Sequence, residues 1–99
     1  MSLSASTTTT VTGSATLENE VGLHARPSVK LTQLAKRFSA SIEFALAPGG
    51  PWTDAKSPVK VMRVKAPKGS VLYFQVSGPD AEAALAAVLA LVHDKFGEE

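Results

Sequence analysis

The chain has 99 residues, 44% of them hydrophobic and 19% charged, enough for one core and too little for a second domain. It contains no cysteine, which excludes disulfide frameworks, thiolate metal sites and cysteine nucleophiles. Its net charge of +1 is too small to argue for nucleic acid, and no apolar run of about 20 residues is present to insert into a membrane.

Residues 1–10, MSLSASTTTT, are polar and without periodicity, and are expected to form a disordered lead-in to a single domain over residues 11–99. No basic segment followed by an apolar one opens the chain, so a cytoplasmic location is expected. VTGSATL alternates loosely and reads as a strand, with a turn at ENEVG. Leu31, Leu34, Ala35 and Phe38 then fall at i, i+3, i+4 and i+7, one face of an amphipathic helix. Pro27 suits the first turn of that helix, where its missing N–H has no intrahelical use. The helix therefore starts near Ala25 or Arg26, with His24 at its mouth.

SASIEFAL changes the period to two. Ile42, Phe44 and Leu46 share one face of a half-buried strand, and Ser41, Glu43 and Ala45 the other. APGGP is a turn cluster, and WTDA leaves room only for a short strand. Trp52 is expected to pack in that loop or strand. Ser57-Pro58 supplies an N-cap and a first-turn proline. The VKVMRV that follows is β-branched, yet Val61, Met62 and Val64 after such a start predict a short helix. Lys68-Gly69 turns the chain into SVLYFQVS, the clearest strand. Asp80 is expected to cap a long helix that buries Ala81, Ala84, Leu85, Val88 and Val92. The order β-α-β-β-α-β-α, with hairpins and split crossovers, predicts an α+β fold. It is a two-layer open-faced sandwich with helices covering one face of the sheet.

Conventional hydrolase, nucleotide-binding and metal chemistry finds little support in these residues. No GxxxxGK[ST], GxGxxG or GxSxG occurs. His24 and His93 lie on different helices with no i, i+4 partner, so no metal site and no cofactor are expected. His93 instead reads as a favourable group at a helix C-terminus. The run Gly22-Leu23-His24-Ala25-Arg26-Pro27 offers more. It sets an imidazole at a helix N-terminus, where unpaired backbone N–H groups and the positive dipole end favour an anion. Arg26 can add a cationic donor to that anion. Such a histidine suits nucleophilic attack on a phosphoryl group and brief storage of it. A plain surface histidine with Pro27 as helix punctuation fits the same spacing.

GLHARP strongly resembles the active-site signature of the HPr family, histidine-containing phosphocarriers of the bacterial sugar phosphotransferase system. The similarity extends through KLTQLAKRF, SIEF, AKS, the Lys-Gly before a strand and the last helix, from Val11 to Phe96. It implies four antiparallel strands with three helices on one face. It also implies that His24 is phosphorylated through Nδ1, that Arg26 partners the phosphate, and that the Ala25 and Arg26 amides bind it. Ser57 would occupy the place of a serine that some members use for regulatory phosphorylation by a serine kinase; a plain N-cap explains it as well. The chain departs from the family at Pro58, where a large apolar residue is usual, and in the longer APGGPW stretch.

Lys56, Lys60, Arg63, Lys65 and Lys68 form a basic stretch without an acidic residue. It is either a solvated face or a docking surface in which Val59 and Met62 form an apolar centre rimmed by Lys56, Lys60 and Arg63. By resemblance, the chain is a monomeric carrier rather than a self-sufficient enzyme. It would take phosphate from the phosphorylated first enzyme of the system, charged by phosphoenolpyruvate, and pass it to a sugar-specific component. A regulatory module using Ser57 or the basic face is the alternative, although it would leave His24 and Arg26 without a task. An RNA-binding sandwich, suggested by Phe44, Tyr73 and Phe74, lacks an RNP1-like run, so no nucleic-acid partner is expected.

Overall fold

The computed structural model describes residues 9–97 of the chain. Its sheet follows from the period-two segments. Strand β1 (Thr10–Thr16) pairs antiparallel with β4 (Val71–Ser77), β4 pairs antiparallel with β2 (Ser41–Ala45), and the two-residue β3 (Thr53–Asp54) closes the order β1-β4-β2-β3. The register places Phe44 opposite Phe74, Ile42 and Val11 opposite Val76, and Ala15 opposite Leu72. One face of the sheet is therefore continuously apolar. Phe44 and Phe74 meet there as a tilted pair with ring centroids 6.1 Å apart, an arrangement that adds to the burial of each ring.

Helices α1 (Ala25–Ala35), α2 (Pro58–Val64) and α3 (Ala81–His93) cover that face. They contribute Leu31 and Ala35, Val61, and Ala84, Val88 and Val92 to a single core with Leu17, Leu23, Ile42, Leu72 and Phe96. Burying a side chain of the Leu or Phe class stabilises a fold by about 1.5–3 kcal/mol, so this set dominates what holds the two layers together. The α+β order and the four-stranded sheet agree with the sequence reading, including a helix rather than a strand at VKVMRV. Among the described residues no helix is long and apolar enough to cross a membrane.

Local departures have physical reasons. Residues 1–8 of the expected lead-in lie outside the described residues, but Thr10 already stands opposite Ser77, so β1 begins there rather than at Val11. Leu46 was expected to share a buried face with Ile42 and Phe44. The strand instead ends at Ala45, which is buried, and Leu46 is 46% exposed in the turn that follows. Phe38 lies beyond the end of α1 and is half-buried rather than on its helical stripe. Asp80 occupies the N-cap of α3, yet its side chain makes no capping bond. Its two carboxylate oxygens accept the N–H groups of Ser39 at 2.9 Å and Ala40 at 2.7 Å. Gly78 lies just before it, packed so closely on Ala40 that a Cβ would fall 2.8 Å from the Ala40 Cα.

Candidate functional site

The loop from Leu17 to His24 joins β1 to α1, and it is held against the chain that leaves α2. Leu17 exchanges backbone hydrogen bonds with this segment, donating to Ser70 and accepting from Gly69, and Leu23 N–H donates to the Ala66 carbonyl at 2.8 Å. Gly22 has φ +67, and a Cβ there would lie 2.4 Å from the Ala66 oxygen, so only glycine fits. Asn19 is fully buried under the loop, and its Nδ2 donates to the Gly22 carbonyl at 2.7 Å. In the sequence, Glu18-Asn19-Glu20 reads only as part of a turn. The available signal was the turn preference of asparagine, which says nothing about a buried side chain.

This loop delivers His24 to the N-cap of α1 with extended backbone, φ −109 and ψ −164. Its carbonyl accepts the Ser28 N–H at 2.9 Å, which opens the helix, while its side chain makes no capping bond. Ala25 and Arg26 occupy the first two helical positions, whose amides have no intrahelical acceptor, and Pro27 carries no N–H at the third. His24, Ala25 and Arg26 are all exposed, whereas Pro27 and Ser28 are buried beneath them. With Val21 and Pro27 they wall a shallow depression of about 220 Å³. The first turn of α1 contains no acidic residue. The arrangement brings an imidazole and the positive end of a helix dipole to one small volume that Arg26 also borders, which suits a phosphoryl group.

The segment leaving α2 meets this loop, where the Ala66 carbonyl accepts the Leu23 N–H, and α2 itself packs against α1. Val59 is 61% exposed and Met62 44% on α2, and Val21, which borders the His24 depression, is 56% exposed. Lys60, Arg63 and Lys65 are exposed as well. Lys56 is different: its ammonium donates to the Phe38 carbonyl at 2.8 Å and tethers the start of α2 to the end of α1. Lys68 pairs with Glu20 at 3.2 Å. Thus Lys60 and Arg63 form the exposed cationic part of the expected docking face.

Ser57 is the N-cap of α2, and its Oγ accepts the Lys60 N–H across a long 3.4 Å. His93 ends α3 and is exposed, distant in sequence and element from His24. Trp52 is half-buried and, with Pro48 and Tyr73, borders a groove of about 290 Å³ on the open face of the sheet. Phe44 and Phe74 are buried on the covered face, so they form no stacking platform with Tyr73. Among the described residues no group of three or more His, Asp or Glu could hold a metal ion.

Comparison with known proteins gives a consistent result. The family described as PTS HPr component phosphorylation site matches residues 1–94. The chain is similar to the phosphocarrier protein HPr of Cupriavidus necator, with 43% identity over 83 residues, covering 84% of this chain and 91% of that one. It is similar also to the phosphocarrier protein NPr of Escherichia coli, with 33% identity over 90 residues, covering 91% of this chain and 99% of the relative. Among solved structures, an HPr of Thermoanaerobacter tengcongensis superimposes with a TM-score of 0.81 at 32% identity, covering 90% of this chain and 98% of that one.

Proposed function

The chain belongs to the HPr family of phosphotransferase-system phosphocarriers, and we propose that His24 is the residue on which it carries the phosphoryl group. The observation that supports this assignment is the exposed imidazole, free of any side-chain capping bond, at the N-cap of α1. The donor is the phosphorylated first enzyme of the system, and the acceptor is a sugar-specific component. In each encounter a ring nitrogen without a proton attacks phosphorus and forms a new P–N bond. The donor's P–N bond breaks, and its electron pair returns to the donor imidazole. Nδ1 is taken as the attacking atom on the family resemblance.

The carrier's contribution is positioning and charge stabilisation rather than independent turnover. The amides and the Arg26 guanidinium offset the charge gathered on the equatorial oxygens, and Val59 with Met62 supplies the apolar contact to both partners. A shallow, open site suits this task, because the phosphoryl group must be handed on to a second protein. The test is incubation with phosphoenolpyruvate and the first enzyme, followed by mass spectrometry. The wild type should gain one acid-labile phosphate, and His24→Ala should gain none while keeping its fold. An acid-labile phosphate retained by the variant would sink the assignment.

A further inference from the structure

We propose that Asn19 is a positioning residue for phosphoryl transfer at His24, acting through the Gly22–Leu23 peptide rather than on the phosphate. The proposal rests on the assignment of His24 as the acceptor. Both polar groups of that one peptide are clamped. Asn19 Nδ2 donates to the Gly22 oxygen at 2.7 Å, and the Leu23 N–H donates to Ala66 at 2.8 Å. The His24 N–H donates to the same Gly22 oxygen at 3.1 Å, so the backbone that aims the imidazole hangs from the carbonyl that Asn19 holds. A second bond, from the Gly22 N–H to the Asn19 carbonyl at 3.1 Å, closes the turn.

The remaining end of the amide separates this role from ordinary packing. Asn19 is 0% exposed, and its Oδ1 is buried without a hydrogen-bond partner. A buried acceptor left unmatched works against stability, whereas an apolar side chain of similar shape has no such penalty. The donor end is what the loop uses. Without it, the Gly22 oxygen keeps only the 3.1 Å bond from the His24 N–H and the peptide is anchored to the rest of the fold through Ala66 alone, so the ring's starting direction at the helix mouth becomes a distribution. Transfer between two protein-bound imidazoles requires close in-line alignment, and displacements on the order of 1 Å cost up to about a hundredfold in rate.

Two variants test this in the full chain, with single-turnover transfer from the phosphorylated first enzyme followed over a range of carrier concentrations. Asn19→Leu removes the donor and the unmatched oxygen together. Its urea midpoint should stay at or above that of the wild type. Its maximal rate should fall at least about tenfold, with KM nearly unchanged. Asn19→Asp keeps the shape but faces Gly22 with an acceptor until it is protonated, when its O–H can donate again. Its rate relative to wild type should therefore rise as pH falls from about 8 to about 5.5. Glu18, Glu20, His24 and Lys68 are common to both proteins, so the ratio isolates the new carboxyl. A folded Asn19→Leu protein with a wild-type maximal rate overturns the proposal. If Asn19→Leu does not fold, a pH-independent ratio for folded Asn19→Asp overturns it. Peptide mapping of wild-type phosphate to a residue other than His24 overturns the underlying assignment first, and is distinguishable from either result.

Discussion

His24 and Arg26 stand two positions apart at the start of α1, and that spacing divides their labour. Under the proposed function, the imidazole is part of the linkage being made, whereas the guanidinium only stabilises charge that the helix amides already attract. Arg26→Ala should therefore slow transfer from the first enzyme without abolishing it. The loss of a charge-assisted donor at an exposed site points to about tenfold, equivalent to ~1.4 kcal/mol in the barrier. Stopped-flow or rapid-quench measurement of His24 phosphorylation decides the matter. An unchanged rate would remove Arg26 from the site, and complete loss would mean that the amides alone cannot hold the group. The sequence made both residues legible because local spacing controls them. Asn19 was not legible, because its burial depends on residues 66–70 returning beside the loop.

At the scale of elements, Asp80 joins the start of α3 to the turn that leads into β2. The Ser39 N–H, together with the Ala40 N–H and against a smaller upward push from partial burial, holds its carboxyl below the usual aspartate value of 3.8. A carboxyl whose value is lowered by folding adds stability in its ionised form. That contribution is fully present above the unfolded value near 3.8 and is lost as pH falls through the lower folded value. Asp80→Asn should thus be less stable than wild type at neutral pH, with the gap closing in acid as the wild-type carboxylate is protonated. Urea midpoints of the two proteins between about pH 7 and pH 2.5 check this, since their other carboxylates cancel in the difference. A gap of constant size would show that the carboxylate's charge contributes nothing to the junction. The side chain looked like a helix cap in the sequence; it serves a neighbouring turn because the Gly78–Ala40 contact brings that turn within reach.

For the whole molecule, Val21, Val59 and Met62 expose apolar side chains and Lys60 and Arg63 expose cations, and under the proposed function these residues form the face that meets both partners. A carrier meets donor and acceptor with the same surface, so association and release must both be fast. Cations at the rim act mainly on encounter, and their reach contracts with the screening length, ~8 Å at physiological ionic strength. Lys60→Glu should slow association with the first enzyme at low salt, with the defect shrinking as salt rises. Met62→Ala should instead speed dissociation at every salt concentration, because truncating a buried interface anchor costs on the order of 1–2 kcal/mol. Surface-binding kinetics across a salt series separates the two effects. Association by Lys60→Glu that is indistinguishable from wild type at low salt would make the basic stretch a solvated face. The Lys56 ammonium also donates to the Phe38 carbonyl, which leaves it two further donors for a partner.

Features governed by neighbours along the chain could be read before any coordinates: the period-two strands at Ile42–Phe44 and Leu72–Val76, the Ser57-Pro58 helix start, and the histidine set before Ala25-Arg26-Pro27. Their physics is local, residing in side-chain alternation, proline's missing N–H and the positive end of a helix dipole. The strand order β1-β4-β2-β3, the burial of Asn19, the glycine-only contact of Gly22 with Ala66 and the diversion of Asp80 to Ser39 and Ala40 became visible only in the folded chain. Each depends on segments distant in sequence reaching hydrogen-bond or van der Waals distance. No periodicity or local preference encodes that proximity, and packing of the helices onto one face of the sheet creates it.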